Sequence, residues 1–484
     1  MSEPYPRISK FKTSADLKGR LKELGLDLPC DDRIETAPES PLAQPLEWNN
    51  HKIGNRWAIH PMEGWDGTED GRPTDYTRRR WTHFGLSGAK LIWGGEAVAV
   101  RHDGRANPNQ LLINEPNLFD LETLREDLVL AHQESIGETD DLFVGLQLTH
   151  SGRFSRPNEK MKPEPRVLYH HPILDKRVQI KNDDPVFTDG EIDALIEDFV
   201  IAAKRAWKIG FHFVDIKHCH GYLGHEFLTA FDREGKYGGS FENRTRFLDE
   251  VVKGIQAEAP GLEIGVRLSS FDILPYRPDP ETSSESKLGI GVPEECDGEY
   301  RCHFGDDPLV GGAGALESAI QLVRFLLERD IRLVNITCGS PYYNPHIQRP
   351  AYFPPSDGYQ PPEDPLIGVV RLLTAAKIVK EACPEAIVVG TGFTYLQDFI
   401  PQVAQPLVRE GWMDFAGVGR LVLSYPELPH DSLTTGKLKR KKICRTFSDC
   451  TTGPRKGMIS GCFPLDPFYK NSDLGDQFRK LKMG

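Results

Sequence analysis

The chain has 484 residues, 39% of them hydrophobic and 27% charged, with a formal net charge of −12. That is enough apolar material for a large core, which excludes a disordered or fibrous protein, and the negative balance argues against a nucleic-acid partner, whose phosphates it would repel. No run approaches the ~18 apolar residues a membrane helix needs, the first twenty residues lack a signal peptide's apolar core, and nine scattered cysteines do not read as a disulfide framework. A cytoplasmic protein with no membrane contact is expected.

Residues 1–50 are polar and proline-rich and read as an irregular extension packed on the main domain. From 51 to 430 one rhythm holds. Short, mostly Gly-bounded β-branched stretches stand at 57–62, 90–100, 142–150, 211–219, 262–270, 331–339, 386–392 and 414–420. Their continuous apolar runs (VDI, LVNI, IVV) suit strands buried on both faces. Helical periodicity appears at 121–133, 191–208, 243–257, 316–328, 366–381 and 396–409. In 191–208, Ile192, Leu195, Ile196, Phe199 and Val200 share a face, and Thr188 with Glu191 gives a T-x-x-E capping box. Strands alternating with helices through right-handed crossovers predict an α/β fold, a (β/α)8 TIM barrel over 51–430; an open doubly wound sheet is the alternative. Three long segments, 153–184, 275–314 and 341–364, follow the third, fifth and sixth strands, where barrels build walls and lids for active sites. The second, acidic and rich in Ser and Gly, reads equally as an inconsequential insertion. Residues 431–484 form a cysteine-containing tail expected to pack on the barrel.

The strand ends carry the chemistry. VVGTGF and FAGVGR put Gly392 and Gly419 at the last two strand ends, with Arg420 beside them. Exposed backbone N–H groups next to a guanidinium make a phosphate cradle; the plainer reading is that these glycines only turn the chain. At the fourth strand, His218-Cys219-His220 invites a metal, but neighbouring strand residues point to opposite faces and cannot converge on one ion, so no metal is expected. Lys217, His220 and Tyr222 instead read as oxyanion donors and a proton source facing a ligand, or as ordinary core residues.

Taken together, NRWAIHPMEG, LIWGGEAVAVRHDGR, GLQLTHSGR, HGYLGHEFLTAFDREGKYGGSFENRTRF, GVRLS, VGTGF and GVGR resemble the Old Yellow Enzyme family of FMN oxidoreductases, in the family's order. The resemblance implies that Pro61 and Met62 lie along the flavin, Ala97 approaches its ring, Gln147 bonds its pyrimidine edge and Arg267 faces its N1/O2 end. It implies that Gly392, Gly419 and Arg420 hold the FMN phosphate, and that His220 and Tyr222 are an oxyanion donor and the proton donor. Lys217 stands where the family usually has His, and Glu63 where it has Thr or Cys beside the flavin. The tail resembles that of trimethylamine dehydrogenase and dienoyl-CoA reductase, which hold an iron–sulfur cluster. Here Cys444, Cys450 and Cys462 leave one ligand short of the four thiolates a four-iron cluster needs, a remnant in which no cluster is expected.

The function implied is NAD(P)H-driven reduction of an activated C=C bond in a small molecule by an FMN-containing homo-oligomer. Two alternatives stand beside it. One is amine oxidation, with Glu63 or the Tyr342/Tyr343 loop receiving the cation; the other is a catalytically silent flavin-binding protein.

Overall fold

A computed structural model describes residues 5–285, 287–310 and 314–483. The expected barrel is there. Its strands are β1 (Trp57–Ile59), β2 (Leu91–Ile92, resuming at Ala97–Ala99), β3 (Phe143–Thr149), β4 (Phe213–Ile216), β5 (Glu263–Ser269), β6 (Leu333–Thr337), β7 (Ile387–Gly390) and β8 (Phe415–Val418). Each pairs in parallel with its neighbours, and β8 returns to β1 through Ala416↔Trp57 and Val418↔Ile59, so the sheet is closed rather than open.

The helices Leu118–Ile136, Asp189–Lys208, Phe241–Glu258, Glu317–Leu327, Pro365–Ala382 and Ile400–Arg409 lie where the periodicity put them. The capping box forms: Glu191 N–H donates to Thr188 Oγ1 at 3.3 Å, and Thr188 N–H to Glu191 Oε2 at 2.9 Å. Helix Asp75–Leu86, after β1, was missed. Its buried face mixes Trp81 and Phe84 with Thr77 and Arg80, which blurs the apolar stripe; Arg80 is held inside by Asp66 and, at 2.6 Å, by Glu96.

Two expectations need correcting. The N-terminal extension is not irregular throughout: Thr13 caps a helix at Ser14–Glu23 whose Leu17 and Leu21 are buried, and Arg20 pairs with Asp364 at 2.7 Å. The second strand is not continuous over 90–100. Between the pairings Ile92↔Val144 and Ala97↔Gln147 its chain is two residues longer than β3, and the surplus bulges out through Gly94 and Gly95, both in left-handed conformation. The bulge turns Glu96 towards Arg80 and leaves Ala97 at the barrel mouth.

Strand alternation sets the barrel interior. At the amino-terminal ends the inward set is apolar: Ala58, Leu91, Phe143, Phe213, Leu333 and Phe415 form one cluster, sealed from below by Ile53 of the hairpin Leu46–Trp48/His51–Ile53. Two residues further along, β1, β4 and β6 turn polar with His60, Asp215 and Asn335, while β3 and β8 place Gly145 and Gly417. Gly145 is small because Phe213 fills its place; a Cβ there would overlap that ring. Among the described residues no helix is long and apolar enough to cross a membrane.

Gly145→Ala is therefore expected to cost about 1–3 kcal/mol through overpacking, read from the midpoint of chemical denaturation. A variant as stable as the parent would mean that the interior has room to spare.

Candidate active site

Above the apolar layer, Asp215 of β4 organises the barrel interior. Its Oδ2 accepts from Trp93 Nε1 at 2.9 Å and Gln147 Nε2 at 2.6 Å, and its Oδ1 accepts from the Arg267 backbone N–H at 2.7 Å. Burial pushes the Asp215 carboxyl up, against these three donors. The carboxamide oxygen of Gln147 thus points away from Asp215. Across the barrel, His60 Nδ1 lies 3.1 Å from Asn335 Nδ2 and His60 Nε2 lies 3.2 Å from Thr391 Oγ1. Burial, with Arg267 nearby, holds this imidazole well below its usual range and neutral.

This floor supports a cavity of about 440 Å³ at the carboxyl ends of the strands. Of the residues singled out in the sequence, Pro61, Met62, Glu63, Ala97, Gln147, Lys217, His220, Tyr222, Arg267, Tyr342, Gly392, Gly419 and Arg420 all line it. Tyr343 does not. Its hydroxyl donates to Asp272 at 2.5 Å, and its ring packs behind Phe154. The expected substrate contact is therefore confined to Tyr342.

At the end of β4, Lys217 faces inward by the strand's own alternation. His220 (φ +66°) and Gly221 (φ +75°) then take left-handed conformations, which turn the chain so that His220 and Tyr222 face the same cavity. A non-glycine residue held there stores roughly 1–3 kcal/mol. The His220 backbone is pinned by its N–H to Ser269 Oγ (2.9 Å) and its carbonyl from Ser340 Oγ (2.8 Å). Burial and the nearby Arg267 and Lys217 keep its imidazole well below the usual range, so it is neutral. Lys217 Nζ sits 3.5 Å from the Tyr222 ring centroid, and burial lowers its ammonium.

Tyr222 joins a chain of hydroxyls. It donates to Glu63 Oε2 and lies 2.7 Å from the Tyr342 hydroxyl, while Trp65 Nε1 donates to Glu63 Oε1 at 3.0 Å. Burial, then Glu63, raises the Tyr222 phenol far above its ordinary value, so it keeps its proton. Tyr342 stacks on Phe154 at 4.0 Å between centroids.

The cavity runs on between β7 and β8 and under the C-terminal tail. Gly392 has φ +118°, a backbone that L side chains rarely adopt. Arg420 and Arg349 meet there, and Cys444, Cys450 and Cys462 line the wall. Among the described residues no set of three His, Cys, Asp or Glu side chains is placed to hold a metal ion. Four buried donor atoms of residues lining the cavity have no partner: Arg80 Nε, Arg267 Nε, Tyr395 Oη and Thr446 Oγ1. Arg267, Lys217, Arg349 and Arg420 pair with no carboxylate among the described residues, so an acidic chain encloses a cationic cavity. Sequence reasoning missed His60, Arg349, Thr446 and Tyr395. Only His60 left a signal, its inward parity with Ala58.

Behind the wall, Asp272 accepts from Tyr343, from Asn344 Nδ2 at 2.6 Å and from the Ile273 N–H at 2.8 Å, anchoring the loop that presents Tyr342. Burial pushes this carboxyl up to about 6.

The chain matches the model of the NADH:flavin oxidoreductase / NADH oxidase family over residues 41–283, half its length. It is 39% identical over 253 residues to a 12-oxophytodienoate reductase 1 of Oryza sativa subsp. japonica, covering 49% of this chain and 61% of that one. It is 31% identical over 242 residues to an NADPH dehydrogenase of Geobacillus sp. (strain WCH70), covering 49% and 65%. The chain spans about 60% of the length of the curated relatives it matches. Morphinone reductase in complex with tetrahydroNAD has the same fold, with a TM-score of 0.52 at 19% identity over 81% of this chain and 90% of that one.

The raised Asp272 carboxyl carries a pH signature. Between about pH 4 and 6 the folded chain keeps a proton that the unfolded chain has released, so its contribution to stability falls as pH rises through that window and is level above it. Relative to Asp272→Asn, the parent is expected to lose at most about 1.4 kcal/mol per pH unit there, measured by denaturation at several pH values. A flat difference would place the proton elsewhere.

Proposed function

Because the chain belongs to the NADH:flavin oxidoreductase / NADH oxidase family, we propose that it is an FMN-dependent enzyme that uses NAD(P)H to reduce an activated C=C bond. The observation carrying this reading is the cavity itself, a pocket at the strand ends lined by cations and by donors with no partner. Such a set suits a flat, hydrogen-bonding ring system with a phosphate tail. When bound, FMN supplies a two-electron relay between a nicotinamide donor and a small molecule.

Pro61, Met62 and Ala97 would give the apolar edge of its bed. Gln147, oriented by Asp215, and Arg267, with its orphaned Nε, would hold the polar ring end. Gly392, Gly419 and Arg420 would take the phosphate. Lys217 and His220 would then hold the substrate's carbonyl oxygen. Both are donors, one a buried ammonium and one a neutral imidazole, so the oxygen gains charge stabilisation without meeting two fixed cations. Tyr222 would give its proton to the α carbon, and the Tyr342 hydroxyl at 2.7 Å is placed to return one to it. For that transfer the Tyr222 hydrogen would turn from Glu63, which accepts it in this structure and also accepts from Trp65, towards the substrate. A relative named as a 12-oxophytodienoate reductase, 39% identical over its matched stretch, agrees with a small-molecule reductase.

Amine oxidation is the weaker reading. An ammonium substrate would dock beside Glu63 and the aromatic wall, but Lys217 already occupies the Tyr222 face, and Glu63 is engaged by Tyr222 and Trp65. Anaerobic mixing separates the readings. Loss of the flavin's visible absorbance on adding NAD(P)H, and its return on adding cyclohexenone, is expected. Bleaching by an amine alone would favour the oxidase, and no bleaching by any donor a silent binder.

Removing one oxyanion donor costs about 10²–10³ in turnover. His220→Ala is accordingly expected to lower kcat for enone reduction by that factor, with NAD(P)H oxidation in the first half-reaction little changed. Equal turnover in parent and variant would remove His220 from the reaction.

A further inference from the structure

We propose that Arg349, in the loop after β6, is a second phosphate-binding arginine that opposes Arg420 across the tail; this rests on the FMN reading above. The two side chains come from loops far apart in sequence, yet both point at one neutral oxygen. Thr451 Oγ1 accepts from Arg420 Nη1 at 3.0 Å and from Arg349 Nη1 at 3.4 Å, and Ser448 Oγ accepts from Arg349 Nη2 at 2.8 Å. Both guanidiniums line the cavity, and neither has a carboxylate within ion-pair distance among the described residues. Their neighbour Arg455 differs in this respect, since it pairs with Asp357.

Two cations sharing a hydroxyl out of bulk water repel each other. Burial and the Arg349 charge pull Arg420 down to about 9, and burial lowers Arg349 as well. A group with two negative charges and several acceptor oxygens relieves this best, because each guanidinium can then present two parallel N–H groups to it. The tail is built to hold that arrangement. Thr446 (φ +53°) and Ser448 (φ +62°) are both left-handed, and Thr446 Oγ1 is buried at the cavity without a partner. A phosphate monoester at the end of a flavin side chain would meet Arg420 and Arg349 together, with the hydroxyls of the tail above it. Arg349 lies outside the stretch that matches the family model, so its role follows from placement alone.

The test compares two ligands that differ only in the phosphate. The flavin-free full-length protein is titrated with FMN and with riboflavin, following flavin fluorescence. The parent is expected to prefer FMN strongly. Arg349→Met is expected to weaken FMN at least tenfold and leave riboflavin unchanged, since a charge-assisted hydrogen bond accounts for a factor of about ten or more. Arg349→Lys, which keeps the charge without the planar fork, is expected to lose less, and it serves if the Met variant does not fold. In the ³¹P spectrum, bound FMN should stay dianionic to lower pH in the parent than in either variant. An unchanged FMN-to-riboflavin ratio, or equal weakening of both ligands, would overturn the role of Arg349 while leaving the FMN reading intact. A parent that binds neither flavin would overturn both.

Discussion

A strand in a closed barrel has only two directions for its side chains, and the barrel's own share of this site follows from that constraint. Facing inward, β3 presents Phe143 and then Gln147, β4 presents Phe213, Asp215 and Lys217, and β5 presents Gly265 and Arg267. The barrel axis is therefore a chemical gradient, apolar at the bottom, hydrogen-bonded in the middle and cationic at the mouth. The aromatic floor matters to the chemistry above it because it excludes water beneath Asp215. Its carboxylate must then be satisfied by Trp93, Gln147 and the Arg267 backbone.

Charge is the second theme. The chain carries a formal −12, yet Lys217, Arg267, Arg349 and Arg420 gather at one cavity with little acid to balance them. Buried charges without partners are expensive, and a fold keeps them where a ligand completes the set. Of the acids that line the cavity, Glu63 is engaged by Tyr222 and Trp65, Asp357 by Arg455 and Asp449 by Lys482. With burial, the Glu63 charge keeps the Tyr222 phenol protonated.

The ends of the chain and the long loops enclose what the strands begin. The loop after β6 supplies Tyr342 and Arg349, and the tail supplies Thr446, Ser448 and Thr451, so the cavity belongs to the barrel and its additions together. The N-terminal helix holds the same region from outside through Arg20 and Asp364 at the start of helix Pro365–Ala382. The insertion after β5, by contrast, folds its own small hairpin, Tyr276–Pro278 with Gly291–Pro293; none of its described residues lines the cavity, and the Tyr276 N–H donates to the Tyr343 carbonyl behind the wall.

Strand and helix order could be read from the residues because the two hydrophobic periods are local properties, whereas Pro61, Met62, Ala97, Gln147 and Arg267 were singled out by resemblance to a family. Helix Asp75–Leu86 was hidden by the buried Arg80 ion pairs, and the broken second strand by a bulge whose only trace is Gly94-Gly95. The sequence alone determined the barrel and which strand ends carry polar residues. Tertiary structure alone decided that Tyr343 turns to Asp272, that Glu63 meets Tyr222, and that Arg349 faces Arg420 across Thr451. Each of those is a contact between segments far apart in the chain, set by how loops of irregular backbone close over a rigid cylinder, and no local period encodes where such a loop will land.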